Sequence, residues 1–100
     1  MRRYIVRKLT THRSSPRIYL DIRSLADAGF RPGQGYRRTL DVGRKSLTLT
    51  VEPDGPFVVS RKSRGTEHIP VIDINSSKDL CVFEGQEAVR VVIMEREIHI

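Results

Sequence analysis

Hydrophobic and polar residues alternate along most of this chain with a period of two, the spacing of a half-buried β-strand. In residues 16–22, Ile18 and Leu20 alternate with polar or charged neighbours and lead to Ile22. The periodicity then changes, so that Leu25 and Ala28 predict one or two helical turns with those two side chains facing inward. This stretch therefore predicts a strand that runs directly into a short helix.

The helix after Ile22 has candidate signals at both ends. Asp21 is predicted to cap its start and Gly29 to end it. A second short helix ending near Leu80 is indicated by Ser76 with Asp79 three residues later, the pattern of a capping box. Strands are predicted at residues 2–9, 16–22, 36–41, 46–51, 57–62, 69–74, 88–94 and 97–100, with exposed loops at residues 10–15 and 63–67.

The pattern occurs twice, with an offset of about 52 residues. Under that shift Leu20 falls on Ile72, and Asp21-Ile22, Gly33-Gln34 and Arg38 fall on Asp73-Ile74, Gly85-Gln86 and Arg90. A half of about 50 residues is close to the lower size limit for burying its own core. The sequence therefore predicts one mainly β domain, a small barrel of two interlocked pseudo-symmetric halves: repeat one at 1–51, a linker at 52–56, and repeat two at 57–100.

Charge is distributed unevenly between these halves. The whole chain carries a net charge of +6, but residues 1–50 hold 12 Lys and Arg against 3 Asp and Glu, whereas residues 51–100 hold 6 against 9. A basic surface of this kind is typical of proteins that bind a polyanion. Three of the six cations in the second half, Arg61, Lys62 and Arg64, occupy the place equivalent to Arg7, Lys8 and Arg13 in the first.

Several other classes of protein are disfavoured. The single cysteine, Cys81, excludes an internal disulfide and fits a reducing cytoplasm, where we expect it to be a small buried apolar residue. No stretch of 18 apolar residues predicts a membrane span, and no catalytic motif, metal-ligand spacing or cofactor-binding loop is present in the sequence. Asp21 and Asp73 form a candidate carboxylate pair, but helix capping accounts for both without a reaction.

The order of elements resembles the AbrB/MazE/SpoVT family of swapped-hairpin barrels. The similarity lies in Ile5-Val6-Arg7-Lys8, a loop, the strand at residues 16–22, and a helix before Gly29-Phe30. Residues 25–33 are also similar to SymE-type toxins. Family members are usually homodimers that exchange hairpins, so a chain with two copies resembles that dimer in covalent form, as in MraZ-type regulators.

The resemblance implies DNA binding in transcription control through basic residues around the first strand, the loop and the helix. It implies no cofactor, and it implies a cytoplasmic or nucleoid-associated protein that is a monomeric pseudo-dimer or a homo-oligomer. The matching positions, with the two neighbouring histidines, are Arg7, Lys8, His12, Arg13, Arg17 and Arg23 in the first copy and Arg61, Lys62, Arg64 and His68 in the second.

Two alternatives to double-stranded DNA remain at this stage. The acidic second half is a candidate docking surface for a protein partner, as in a phage or mobile-element product that inhibits a host complex. A SymE-like activity directed at RNA is the other. Binding to duplex DNA at two salt concentrations separates the first alternative from DNA binding, and competition with RNA separates the second.

Overall fold

The structure is a computed structural model that describes residues 2–12 and 15–100, with only the backbone of His12. Ten strands dominate it: β1 Arg2–Lys8, β2 Thr10–His12, β3 Ser15–Leu20, β4 Gly35–Asp41, β5 Ser46–Val51, β6 Phe57–Val58, β7 Ser60–Arg64, β8 Glu67–Ile74, β9 Ala88–Met94 and β10 Glu97–His99. Two short helices, α1 Ser24–Asp27 and α2 Ser77–Leu80, follow β3 and β8, and a 3-10 turn at Cys81–Phe83 extends α2. The predicted mainly β class is confirmed.

The strands form two antiparallel sheets. One has six strands in the order β1-β9-β10-β5-β4-β6, and the other has four in the order β2-β3-β8-β7. Half of the strand pairings join the first part of the chain to the second: β1 pairs with β9, β3 with β8, β5 with β10, and β4 with β6. The described residues do not close these sheets into the predicted barrel.

Single residues interrupt the strands where the chain passes from one sheet to the other. Leu9 lies between β1 and β2, and its N–H donates to the Glu87 carbonyl at 3.0 Å. Val59 lies between β6 and β7, and its N–H donates to the Gln34 carbonyl at 2.9 Å. At both corners the acceptor is the residue just before a strand of the six-stranded sheet, β9 for Leu9 and β4 for Val59.

The core fills the space between the sheets. Fully buried side chains come from both sheets and from α1 and α2, and the alternation predicted for β5 is confirmed because Leu47 and Leu49 point inward. The main core residues are Ile18, Leu20, Leu25, Phe30, Tyr36, Leu47, Leu49, Val59, Ile72, Ile74, Leu80, Val91 and Ile98. Burial of this apolar surface supplies the main driving force for folding.

Gly29 ends α1, as predicted. Its φ of +100° suits glycine, and the N–H groups of Gly29 and Phe30 donate to the carbonyls of Ala26 and Leu25 at 3.0 and 2.8 Å. These two bonds form a Schellman motif. The N-terminal prediction is wrong, because Arg23 occupies the N-cap and makes no side-chain cap. Asp21 is drawn instead to a lysine of β7.

The second helix begins as predicted. The Ser76 hydroxyl accepts from the Asp79 N–H at 3.2 Å, which caps α2. Asp73 is therefore not a cap. Cys81, expected to be buried, is exposed, because the turn after α2 directs Leu80 and Phe83 into the core and Cys81 outward. It lines a groove of about 500 Å³ between this turn and β2.

The predicted loops at residues 10–15 and 63–67 are mostly strand. β2 pairs with β3 as far as His12 opposite Ser15, and β7 pairs with β8 as far as Arg64 opposite Glu67. Between β7 and β8 only Gly65 and Thr66 remain to make the turn. Gly65 has a φ of +62°, a value that glycine adopts without strain. Polar composition alone led to the loop prediction, whereas cross-strand pairing makes these segments strands.

Candidate nucleic-acid interface

Four of the predicted cations lie on the outer face of the four-stranded sheet or at its border. Lys62 and Arg64 share one face of β7, because they are two residues apart. Arg17 is on the outer face of β3, and Arg7 reaches the end of that strand from β1. We call these four residues, with Tyr19 and Asp21 between them, the basic strip.

Asp21 is at the centre of the basic strip. Its carboxylate accepts a hydrogen bond from Lys62 Nζ and lies 3.6 Å from Arg7 Nη2. The Lys62 hydrogen bond lowers the pKa of Asp21, and the charges of Lys62, Arg7 and Arg64 lower it further, although partial burial opposes them. One carboxylate thus gathers cations from residues far apart in the sequence.

Tyr19 joins this centre to the far end of the strip. Its ring centroid lies 4.8 Å from Arg17 Cζ and 5.9 Å from Lys62 Nζ, within the range of cation–π contact. Arg17 in turn donates to both carboxylate oxygens of Asp73, at 2.9 and 2.8 Å. These hydrogen bonds raise the pKa of Arg17, whose guanidinium stays charged at any physiological pH.

Arg23 lies beside the basic strip, but a carboxylate holds it. Its Nε donates to Glu67 Oε2 at 2.9 Å, and Glu67 is the cross-strand partner of Arg64. Counting Arg23 with the four cations of the strip gives five positive charges, and Asp21, Asp73 and Glu67 give three negative ones. This ensemble of eight side chains therefore has a net charge of +2, and its positive side chains come from both sheets.

Other predicted residues lie away from this ensemble. Strand alternation places Arg61 and His68 on the opposite face of their strands from Lys62 and Ile69, and Lys8 on the opposite face of β1 from Arg7. All three are exposed. Arg13 lies outside the described residues, and for His12 only the backbone in β2 is described.

Sequence reasoning missed Tyr19 and the carboxylates that organise the basic strip. Tyr19 had a detectable signal, since it alternates with Ile18 and Leu20 and must therefore share a face with Arg17. No local signal joins Asp21 to Lys62, which lies 41 positions later in the chain. Only the pairing of β3 with β8 and of β8 with β7 brings these two side chains together.

Within residues 2–12 and 15–100, no three His, Cys, Asp or Glu side chains are arranged to hold a metal ion. None of the helices found there is long and apolar enough to cross a membrane.

Comparison with models of protein families, with characterised proteins and with solved structures finds no match.

Proposed function

We propose that this protein binds double-stranded DNA through the basic strip and acts as a transcriptional regulator or DNA-architectural factor. The observation that carries the proposal is the connected array of Arg7, Lys62, Tyr19 and Arg17, which extends over residues from both parts of the chain. Such an array neutralises phosphates along a duplex and releases counterions.

The carboxylates of the strip leave donors available for phosphate. Arg17 uses Nε and Nη2 for Asp73, so three of the five N–H groups of its guanidinium remain. Lys62 gives one donor to Asp21 and retains two. Arg64 makes no ion pair with any described residue. Asp21 and Asp73 therefore position their cations while leaving part of each available to DNA.

We further propose that the chain consists of two halves related by a pseudo-two-fold axis, like a covalent AbrB-type dimer. Corresponding pairings support it: β1 with β9 matches β6 with β4, and the pairing of β2 with β3 matches that of β7 with β8. Leu20 lies directly opposite Ile72, its equivalent 52 positions later. Such an axis would pass through this residue pair.

A salt titration tests the DNA proposal. If the four cations of the basic strip each neutralise one phosphate, log Kobs falls against log salt concentration with a slope of about −3.5. We expect Arg64→Ala to weaken binding to a fluorescent duplex and to reduce this slope by about 1. Anisotropy between 50 and 200 mM salt (roughly the range over which such contacts are resolved) measures both quantities.

Arg61→Ala is the matched control, because it removes the same charge from the opposite face of β7. It should leave the slope almost unchanged. Equal effects of the two substitutions, or no binding to duplex at low salt, would contradict the proposal. Displacement of duplex by RNA at lower competitor concentrations than by DNA would identify RNA as the partner instead.

A further inference from the structure

Strand β1 is an unpaired edge of the six-stranded sheet. It pairs with β9 on one side, and its backbone makes no other hydrogen bond with the backbone of the described residues. Its outward side chains are well exposed, Tyr4 at 54% and Val6 at 73%. A long exposed edge of this kind is a template for another extended segment.

A groove of about 270 Å³ runs beside this edge. Its apolar part is formed by Ile5, Ile22 and Ile69, and the arginines that line it are Arg3, Arg23 and Arg64. Of these arginines, Arg3 and Arg64 make no ion pair within the part of the chain that the structure describes. The groove is therefore apolar at its centre and cationic around it.

The wall opposite β1 contains polar groups as well. Asp21 lines the groove but is held by Lys62. The Ser24 hydroxyl is buried there and has no hydrogen-bond partner among the described residues. A buried hydroxyl without a partner is costly, and a polar group of a ligand would satisfy it.

Charge disfavours a second copy of β1 as the occupant of this edge. The strand carries Arg2, Arg3, Arg7 and Lys8 and no acidic residue. In the fullest antiparallel self-pairing, centred on Ile5, Arg2 would oppose Lys8 and Arg3 would oppose Arg7. Like charges directly opposite one another destabilise a sheet.

We infer that β1 is a docking strand for an extended acidic segment of a partner protein, which adds to the six-stranded sheet by β-augmentation. Main-chain hydrogen bonds to the edge would supply affinity. Glutamates or aspartates would pair with the four cations, and an apolar residue would enter the groove opposite Ile5. The partner is thus a protein with acidic residues on both sides of a short apolar centre.

A synthetic peptide tests this inference without any nucleic acid. The sequence EEVIVEE, acetylated, amidated and fluorescein-labelled, places glutamates opposite all four cations of β1 when it pairs antiparallel. We expect it to bind about tenfold or more tightly than KKVIVKK, because complementary charge favours only the first. Its binding should shift the amide NMR signals of β1 and slow their hydrogen exchange.

Variants separate this docking mode from general attraction to a basic protein. Arg3→Glu should weaken binding of EEVIVEE about tenfold, whereas Arg44→Glu, three strands away in the β4–β5 turn, should change it less than about twofold. N-methylation of alternate peptide amides should abolish binding, since it removes the main-chain donors. Unchanged binding of the methylated peptide, equal effects of the two variants, or no binding of EEVIVEE would overturn the inference.

Discussion

At the scale of single residues, Asp21 determines the electrostatics of the basic strip. It has the lowered pKa of a carboxylate held by a lysine hydrogen bond and surrounded by cations. The sequence pattern predicts that Asp21 caps the following helix, because aspartate is common at the N-cap position. Its side chain instead reaches Lys62 of β7, on the far side of β8.

The lowered pKa of Asp21 makes stability depend on pH in a defined direction. The folded-state pKa lies below the unfolded value, so the stabilisation is fully present above the unfolded pKa of about 3.9 and is lost as pH falls through the folded pKa. We expect Asp21→Asn to have a flatter profile of unfolding free energy below about pH 4 than the parent protein. Urea unfolding between about pH 2 and 6 measures this difference.

Asp54→Asn is the control for the pH profile, since Asp54 is exposed in the linker and makes no ion pair with a described residue. Its profile should match that of the parent protein. A profile for Asp21→Asn that is as steep as the parent's below pH 4 would show that Asp21 has no stabilising partner in solution.

At the scale of elements, one arginine with a mostly buried side chain holds α2 against the six-stranded sheet. The Arg38 side chain is only 8% exposed, its Nη1 lies 3.3 Å from Asp79 Oδ2, and its Cζ lies 3.7 Å from the ring centroid of Phe57.

Arg90, which the 52-residue shift aligns with Arg38, lies on the outer face of β9 instead, near Tyr4. An offset of 53 in this part of the chain restores equivalent faces and places Arg38 on Val91.

Removal of the Arg38 partner should be strongly destabilising. Asp79→Asn leaves a buried guanidinium without a compensating charge, and we expect a loss of about 3 kcal/mol in the free energy of unfolding. Arg38→Met replaces the charge by an apolar chain of similar length. In the double variant Arg38→Met/Asp79→Asn the two losses should therefore not add, and urea denaturation of all four proteins measures the coupling.

Additive losses in this double-mutant cycle would contradict the account of α2. Asp79→Asn leaves the Asp79 N–H and the Ser76 cap in place, so loss of the cap is not an alternative explanation. A loss below about 0.5 kcal/mol for Asp79→Asn would likewise mean that Arg38 is solvated rather than buried.

The linker at residues 52–56 is a tight turn that packs against β4. A Cβ at Gly55 would lie 2.4 Å from the Tyr36 carbonyl oxygen, and the Glu52 N–H donates to Gly35 at 3.0 Å. Only glycine allows the backbone to pack this closely against β4. The proline and glycine content of residues 52–56 correctly predicted a break between strands, but it did not predict this tight contact with β4.

At the scale of the whole molecule, the sequence predicted the strands much better than it predicted the site. Strands such as β5 can be predicted from the local sequence, because Leu47 and Leu49 alternate with threonines and so indicate one buried face. The partners of charged side chains have no such local evidence. Arg17 with Asp73 and Lys62 with Asp21 meet only after strands from both ends of the chain have paired.

The same reasoning explains which candidate residues lie together. Arg61 and Lys62 are adjacent basic residues in the sequence, yet strand alternation places their side chains on opposite faces of β7. Charge composition therefore predicted a basic protein, whereas only the register of β7 and β8 determines which cations belong to the basic strip.

The most direct test of the proposed DNA interface is the effect of removing its central negative charge. Asp21→Asn removes the carboxylate that competes with phosphate for Arg7 and Lys62 and repels the duplex, so duplex affinity at about 100 mM salt should increase roughly tenfold. Asp54→Asn makes the same change in net charge in the linker and should raise affinity less than about threefold. Equal increases for the two variants, or weaker binding by a folded Asp21→Asn protein, would contradict a duplex-binding role for the basic strip.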